Sequence, residues 1–161
     1  MTAAGAATAY LGLAAWLAVC VGGGALVGLA TAGGDSAWYD SLAKPTWTPP
    51  DAVFAPVWTA LYAAMAIAAW RVWRRGRWQA HRGALALFVG QLAVNFAWSF
   101  IFFGARQIGW ALADILALWI LIAWTIRRFA AIDPPAAWLL APYLAWVTFA
   151  ALLNGAIYRL Q

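Results

Sequence analysis

Charged side chains avoid long stretches of this chain, and the connections between those stretches are short. None occurs from Met1 to Gly34, from Ala52 to Trp70, from Gly83 to Ala105 or from Ala136 to Tyr158. A fifth stretch, Gln107 to Ile126, holds a single acid, Asp114. The hydrocarbon core of a bilayer is about 30 Å thick, and a helix needs about 20 apolar residues to cross it. The pattern therefore predicts an all-α integral membrane protein: five transmembrane helices over 8–32, 51–73, 82–103, 107–127 and 136–158, and a first loop over 33–50. Residues 1–161 are then one membrane domain with no room for a soluble one. The first stretch has no Lys or Arg before it and exceeds a secretory h-region, so it is expected to stay as a helix.

Within the spans, polar and small residues recur at helical spacing. Gln91, Asn95, Trp98 and Phe102 follow i, i+4, i+7, i+11 and form one polar-aromatic stripe, expected to face the bundle interior because amides are costly against lipid. Gly83, Ala86, Gly90, Ala93 and Ala97 form a separate small-residue stripe suited to close helix packing, either with a second copy or within the chain. Trp58, Tyr62 and Met65 share a face of the second helix. In the fifth, Pro142 is expected to free a carbonyl and kink the helix, with Tyr143, Trp146, Ala150, Leu153 and Asn154 on the concave side. Gly22, Gly23, Gly24 and Gly28 let a neighbouring backbone or a ligand approach the first helix.

Composition sharpens the class. Hydrophobic residues make up 66% and charged residues 9%, against about 25% charged in soluble domains. The net charge of +5 is not a nucleic-acid signature, because its placement is that of a topology signal. Arg71, Arg74, Arg75, Arg77, Arg82, Arg127 and Arg128 belong to one side, and Lys44, Arg106 and Arg159 to the other. Seven against three puts the N-terminus in the cytoplasm and the first loop and C-terminus outside. Cys20 and His81 are the sole residues of their kinds, so no intrachain disulfide forms and a metal or haem site built on paired Cys or His is poorly supported.

The first loop is the most distinctive segment. Pro45, Pro49 and Pro50 stiffen it, and Trp38, Tyr39 and Trp47 would be costly to leave in water. It is expected to fold as a non-repetitive lid over the mouth of the bundle, or to form an interfacial aromatic belt. Asp114, expected to face protein rather than lipid, is either a functional carboxylate or a structural hydrogen-bond partner of a neighbouring helix or the loop.

Five ordered blocks then carry a resemblance. These are Trp38-Tyr39, Leu42, Lys44-Pro45, Trp47 and Pro49-Pro50; Pro56 with Trp58; Asn95 with Trp98 and Phe102-Phe103-Gly104; Gly109-Trp110-Ala111-Leu112 with Asp114; and Pro142-Tyr143-Leu144-Ala145-Trp146 with Phe149-Ala150 and Leu153-Asn154. The chain resembles the TspO/translocator-protein family of tryptophan-rich sensory proteins over nearly its whole length. The resemblance implies a five-helix bundle, usually a homodimer. It also implies a ligand pocket beneath the first loop for a porphyrin-type tetrapyrrole such as protoporphyrin, with haem or a sterol as further ligands and no obligatory cofactor. Carried over by position, the pocket residues are Gly28, Phe54, Ala55, Trp58, Asn95, Trp98, Trp110, Ala113, Trp146, Ala150 and Leu153. The family's sterol-recognition pattern fails here as written, since Gly155 follows Leu153-Asn154 and Tyr158 abuts Arg159.

Three functions fit that resemblance: a porphyrin-binding sensor or receptor, a transporter of such molecules, and a light-dependent porphyrin-degrading enzyme using Trp58 and Trp146. The first is favoured. No inverted repeat supports transport, and no nucleophile–base pair or dinucleotide fingerprint supports catalysis. Without an organelle presequence, and rich in alanine, the chain suits a bacterial inner membrane.

Overall fold

A computed structural model describes residues 3–31 and 36–161. The expected end of the first helix at Ala32 and the start of the lid at Gly33, Gly34 and Asp35 lie outside the described residues. Helix α1 (3–31) contains one π-helical turn, Ala18–Gly22. A six-residue helix, α2 (Ser36–Ser41), follows where a non-repetitive loop was expected. A 3-10 turn, Asp51–Val53, leads into a helical run from Phe54 to Ser99 that ends in a second π turn, Phe100–Gly104. Helices α5 (Ile108–Ala130) and α6 (Pro134–Leu160) complete the chain, α6 running through Pro142.

The run from Asp51 to Gly104 is 54 residues long. At 1.5 Å per residue it would extend about 80 Å if straight, far more than a bilayer accommodates. It breaks where the arginines cluster: Gly76 (φ −172°), Arg77 (φ 61°) and His81 (φ −123°) leave helical geometry. Arg77 takes a positive φ with an extended ψ of −171°, a region that favours glycine and costs another residue about 1–3 kcal/mol, and its guanidinium lies 4.6 Å from the Trp73 ring. The break yields two antiparallel spans, α3 (54–75) and α4 (82–104), so the described residues cross the membrane five times.

In lipid, apolar side chains gain nothing from leaving the solvent, so helix association rests on close packing and internal hydrogen bonds. Ala66, Ala68 and Ala69 of α3 are completely buried, which lets α4, α5 and α6 come close. Leu85, Phe88, Leu118, Ile122, Phe129, Leu140 and Tyr143 fill the space around them, with Phe88 stacked on Phe129 at 5.8 Å. This solid core occupies the arginine-rich half of the bundle. Helix α1 is peripheral: Cys20 is its one buried side chain among the described residues. It is held by Trp70 Nε1, which donates to the Ala9 carbonyl at 2.8 Å. Gly12 adds to this by lying flat against Trp73.

At the same end, Asp133 joins α3 to the α5–α6 connection. Its carboxylate accepts from Arg71 Nη2 at 3.0 Å and from Arg75 Nε at 3.2 Å while only 2% exposed. Pro134 and Pro135 start α6 directly after it, and no side-chain cap bond is made, because the carboxylate is committed to the arginines. Gly83, Ala86, Gly90 and Ala93 of the small-residue stripe face outward, with Ala97 half-buried. Packing within the chain, one of the two expectations for the stripe, does not use the first four.

Burial pushes the Asp133 carboxyl upward, but the two guanidinium hydrogen bonds and charges outweigh it and hold the group below its ordinary value. A depressed folded-state pKa adds stability that is present above the unfolded value and lost as pH falls through the folded one. Asp133→Asn is therefore expected to lower stability by about 1–3 kcal/mol at neutral pH. That deficit should shrink as pH drops below about 4, the usual carboxylate value. Thermal unfolding of both proteins in detergent across pH checks this; a difference independent of pH would contradict it.

Candidate ligand pocket

The other half of the bundle is hollow. A cavity of about 390 Å³ lies between α1, α3, α4 and α6, under α2. Helix α1 contributes small residues just past its π turn, Gly24, Ala25 and Gly28, with Val21, Val27 and Thr31 beside them. Helix α3 contributes Phe54, Ala55, Trp58, Thr59 and Tyr62; α4 contributes Trp98, Ser99, Phe102 and Phe103. From α6 come Trp146, Ala150, Leu153, Asn154 and Ile157, and Tyr39 of the lid closes the top.

Each aromatic wall is fixed by a partner. Trp58 stacks on Tyr62 at 5.4 Å, and the Tyr62 hydroxyl donates to Asn95 Oδ1 at 2.7 Å. Trp98 stacks on Phe102 at 5.0 Å while its Nε1 donates to Asn154 Oδ1 at 3.1 Å. Asn154 in turn donates through Nδ2 to the Ile108 carbonyl at 3.0 Å. Below them Tyr143 donates to Gln91 Oε1 at 3.0 Å. The polar-aromatic stripe of α4 thus faces inward, and its amides position rings. Trp146 leans on Phe54 at 5.9 Å, and its buried Nε1 has no acceptor.

The lid is docked over this mouth. Trp38 and Tyr39 meet Phe102 at 5.7 and 6.3 Å, and Trp47 meets Phe149 at 5.8 Å. Lys44 fastens α2: Nζ donates to the Tyr39 carbonyl at 2.7 Å, lies 4.1 Å from the Tyr39 ring centre, and pairs with Asp40 at 3.7 Å. Pro45 and Pro50 present carbonyls that accept from Thr48 and Val53, and Pro49 is half-buried between those turns. Burial, with Asp51 and Asp40 adding to it, raises the Tyr39 phenol above its ordinary value.

Of the residues grouped by position, Gly28, Phe54, Ala55, Trp58, Trp98, Trp146, Ala150 and Leu153 line this cavity. Asn95 stands one step behind it, holding Tyr62. Trp110 and Ala113 do not line it. They border a second, shallow hollow with Ile101, Ala105, Gln107 and Asp114. The inner face of α5 is instead Ala111, Ile115, Leu118, Ile122, Thr125 and Phe129, which turns Trp110 and Ala113 outward. The expectation that Asp114 bonds to a neighbouring helix or loop is corrected too: its Oδ2 is buried without a donor. Gly24, Tyr62 and Asn154 line the cavity without having been grouped with it. Their signals were present, in the glycine run of α1, the i+4 spacing from Trp58, and the Leu-Asn pair.

Residues 16–159 match the TspO/MBR family. Among curated proteins, the translocator protein of Homo sapiens is 46% identical over 124 residues, 76% of this chain and 73% of that protein. The tryptophan-rich protein TspO of Chlorobaculum tepidum is 42% identical over 151 residues, 90% of this chain and 95% of its own. The tryptophan-rich sensory protein of Cereibacter sphaeroides is 41% identical over 124 residues, 77% of each.

Two glycines of α1 are expected to respond differently to a methyl group. A Cβ at Gly24 would fall 2.3 Å from the Tyr62 ring, whereas one at Gly28 meets nothing within 4 Å. Tyr62 is stacked and hydrogen-bonded and cannot yield cheaply. Gly24→Ala should therefore destabilise by about 1–3 kcal/mol, and Gly28→Ala should leave the melting temperature unchanged. Thermal unfolding in detergent compares them; equal losses would contradict the packing described.

Proposed function

The chain belongs to the TspO/MBR family, and we propose that it is a membrane receptor whose aromatic cavity binds porphyrin-type tetrapyrroles, protoporphyrin foremost. One observation carries this reading: Trp58, Trp98 and Trp146, from three different helices, line one lidded hollow in which Gly24, Ala25, Gly28, Ala55 and Ala150 leave room between the rings. A flat apolar macrocycle is bound by ring faces, by small residues that make room, and by a few orienting polar groups. The unpaired indole N–H of Trp146 suits an acceptor on such a ligand, for example a side-chain carboxylate. Thr59 and Ser99 add hydroxyls to the wall.

Titration of protoporphyrin into the purified protein, followed by tryptophan quenching, tests the pocket. Replacing both Trp58 and Trp146 with Phe is expected to weaken binding about tenfold or more, each ring contact being worth about 0.5–1.5 kcal/mol beyond area. Trp110→Phe, outside the cavity, is expected to leave affinity unchanged. Unaltered affinity in the double variant would remove the assigned pocket.

The same reading places the protein in a bacterial inner membrane as a homodimer, with the N-terminus in the cytoplasm and the lid outside. Orientation rests on the seven cations at the solid end against three at the lid end. Dimerisation rests on the outward stripe: a Cβ at Gly83 or Gly90 meets nothing within 4 Å, room for a second backbone. Single cysteines in a Cys20→Ala background read both. Gly90→Cys should cross-link two copies, and Thr46→Cys should react with an impermeant maleimide from the periplasmic side. Failure to cross-link counts against the dimer, and labelling only from the cytoplasm reverses the topology.

A further inference from the structure

The outward turn of α5 leaves a carboxylate in an unusual position. Asp114 lies in the wall of the second hollow, of about 450 Å³, between the last turn of α4 and the start of α5. Its Oδ2 is sealed off with no hydrogen-bond donor. Within a span, a carboxylate without a partner is strongly disfavoured, and such groups normally pair with protein, water or another polar group. Here the protein supplies none to that oxygen, and the neighbouring positions Ala105, Ala113 and Ile101 are apolar. The carboxylate torsion is broad and nearly two-fold, so either oxygen can be turned toward the hollow.

What occupies it follows from three features. The first is charge: a cationic donor satisfies both the hydrogen bond and the carboxylate, and such bonds are roughly twice as strong as neutral ones. The second is Trp110, whose indole is 72% exposed at the rim and offers a face that attracts an ammonium. The third is depth. Asp114 is six residues into α5, about 9 Å along the axis from Ile108, which places it in the lid-side third of a hydrocarbon core about 30 Å thick. An ammonium of the lid-side leaflet reaches the carboxylate through the open hollow without approaching the midplane. Gln107, exposed at the mouth, has an amide N–H for a phosphate oxygen.

We propose that the hollow formed by Gln107, Trp110, Ala113 and Asp114 is a binding site for the primary-ammonium head group of a phospholipid in the lid-side leaflet. This site is separate from the aromatic cavity and independent of what that cavity binds. Recognition depends on an N–H, so ethanolamine head groups are selected and choline head groups, which have none, are not.

The purified protein, relipidated with equimolar phosphatidylethanolamine and phosphatidylcholine of matched chains, is examined by native mass spectrometry. The ethanolamine lipid should be retained about tenfold over the choline lipid, as expected for one charge-assisted bond. Mono- and dimethylated head groups, which keep an N–H, should be retained with it, and retention should fall at the third methyl. Asp114→Asn should abolish the preference, and Trp110→Ala should reduce it, both with protoporphyrin quenching unchanged.

Equal retention across the methylation series overturns the proposal. A preference that persists in folded Asp114→Asn also does so, by locating the head group elsewhere. If dodecylammonium binds in an Asp114-dependent way while no lipid is preferred, the lipid source is overturned in favour of a free amine. A dimer lost in Asp114→Asn, without lipid preference in the parent protein, assigns the hollow to a second copy and overturns the proposal likewise. Should Asp114→Asn fail to fold, the methylation series on the unaltered protein and the Trp110→Ala variant decide.

Discussion

Three buried amides set the distances in this bundle. Gln91, Asn95 and Asn154 cannot leave their polar atoms facing lipid, because each unsatisfied group there costs several kcal/mol. Tyr143, Tyr62 and Trp98 answer their oxygens with a hydroxyl or indole N–H. Each such bond joins a helix to a ring on another helix, so Tyr62 and Trp98, which wall the cavity, are also braces that keep it open. In water, hydrophobic collapse would favour filling the space. In a bilayer that drive is absent, and directional bonds decide where helices stop approaching one another.

The two halves of the molecule follow from this. Toward the arginine-rich end, α3 presents alanines and its neighbours close over them into a packed core. Toward the lid, the same helices carry Trp58, Trp98 and Trp146, which are too large to pack centrally and are tied to partners at the wall. The solid half has its own fastening in Asp133, which holds α3 against the α5–α6 connection. Rigidity at one end and a cavity at the other suit a protein that must admit a ligand without losing its fold.

Much of this was legible in the chain. The runs without charge located the spans, and the cluster of arginines around residue 76 marked the break that a continuous helical assignment passes over. The amide stripe on α4 announced its inward face. Less visible was the rotation of α5. Trp110 and Ala113 were grouped with the pocket by position, yet Ala111, Ile115, Leu118 and Ile122 recur at spacings of four, three and four, and that apolar seam decides which side is buried. The helix within the lid was missed because prolines at positions 45, 49 and 50 suggested irregularity, while the segment before them, Ser36–Ser41, contains none. The π turns left no sequence signal that separates them from an ordinary helix interior.

The peripheral position of α1 has a consequence for biogenesis. Its fastenings, Trp70 against Ala9, Trp73 against Gly12, Tyr62 against Gly24 and Phe96 against Gly23, all come from residues translated after it. Three of these partners lie on α3 and one on α4, so α1 acquires the last of its neighbours only after two further crossings have been made. Its near-total lack of internal burial lets it remain among acyl chains in the meantime, because it has almost nothing to conceal.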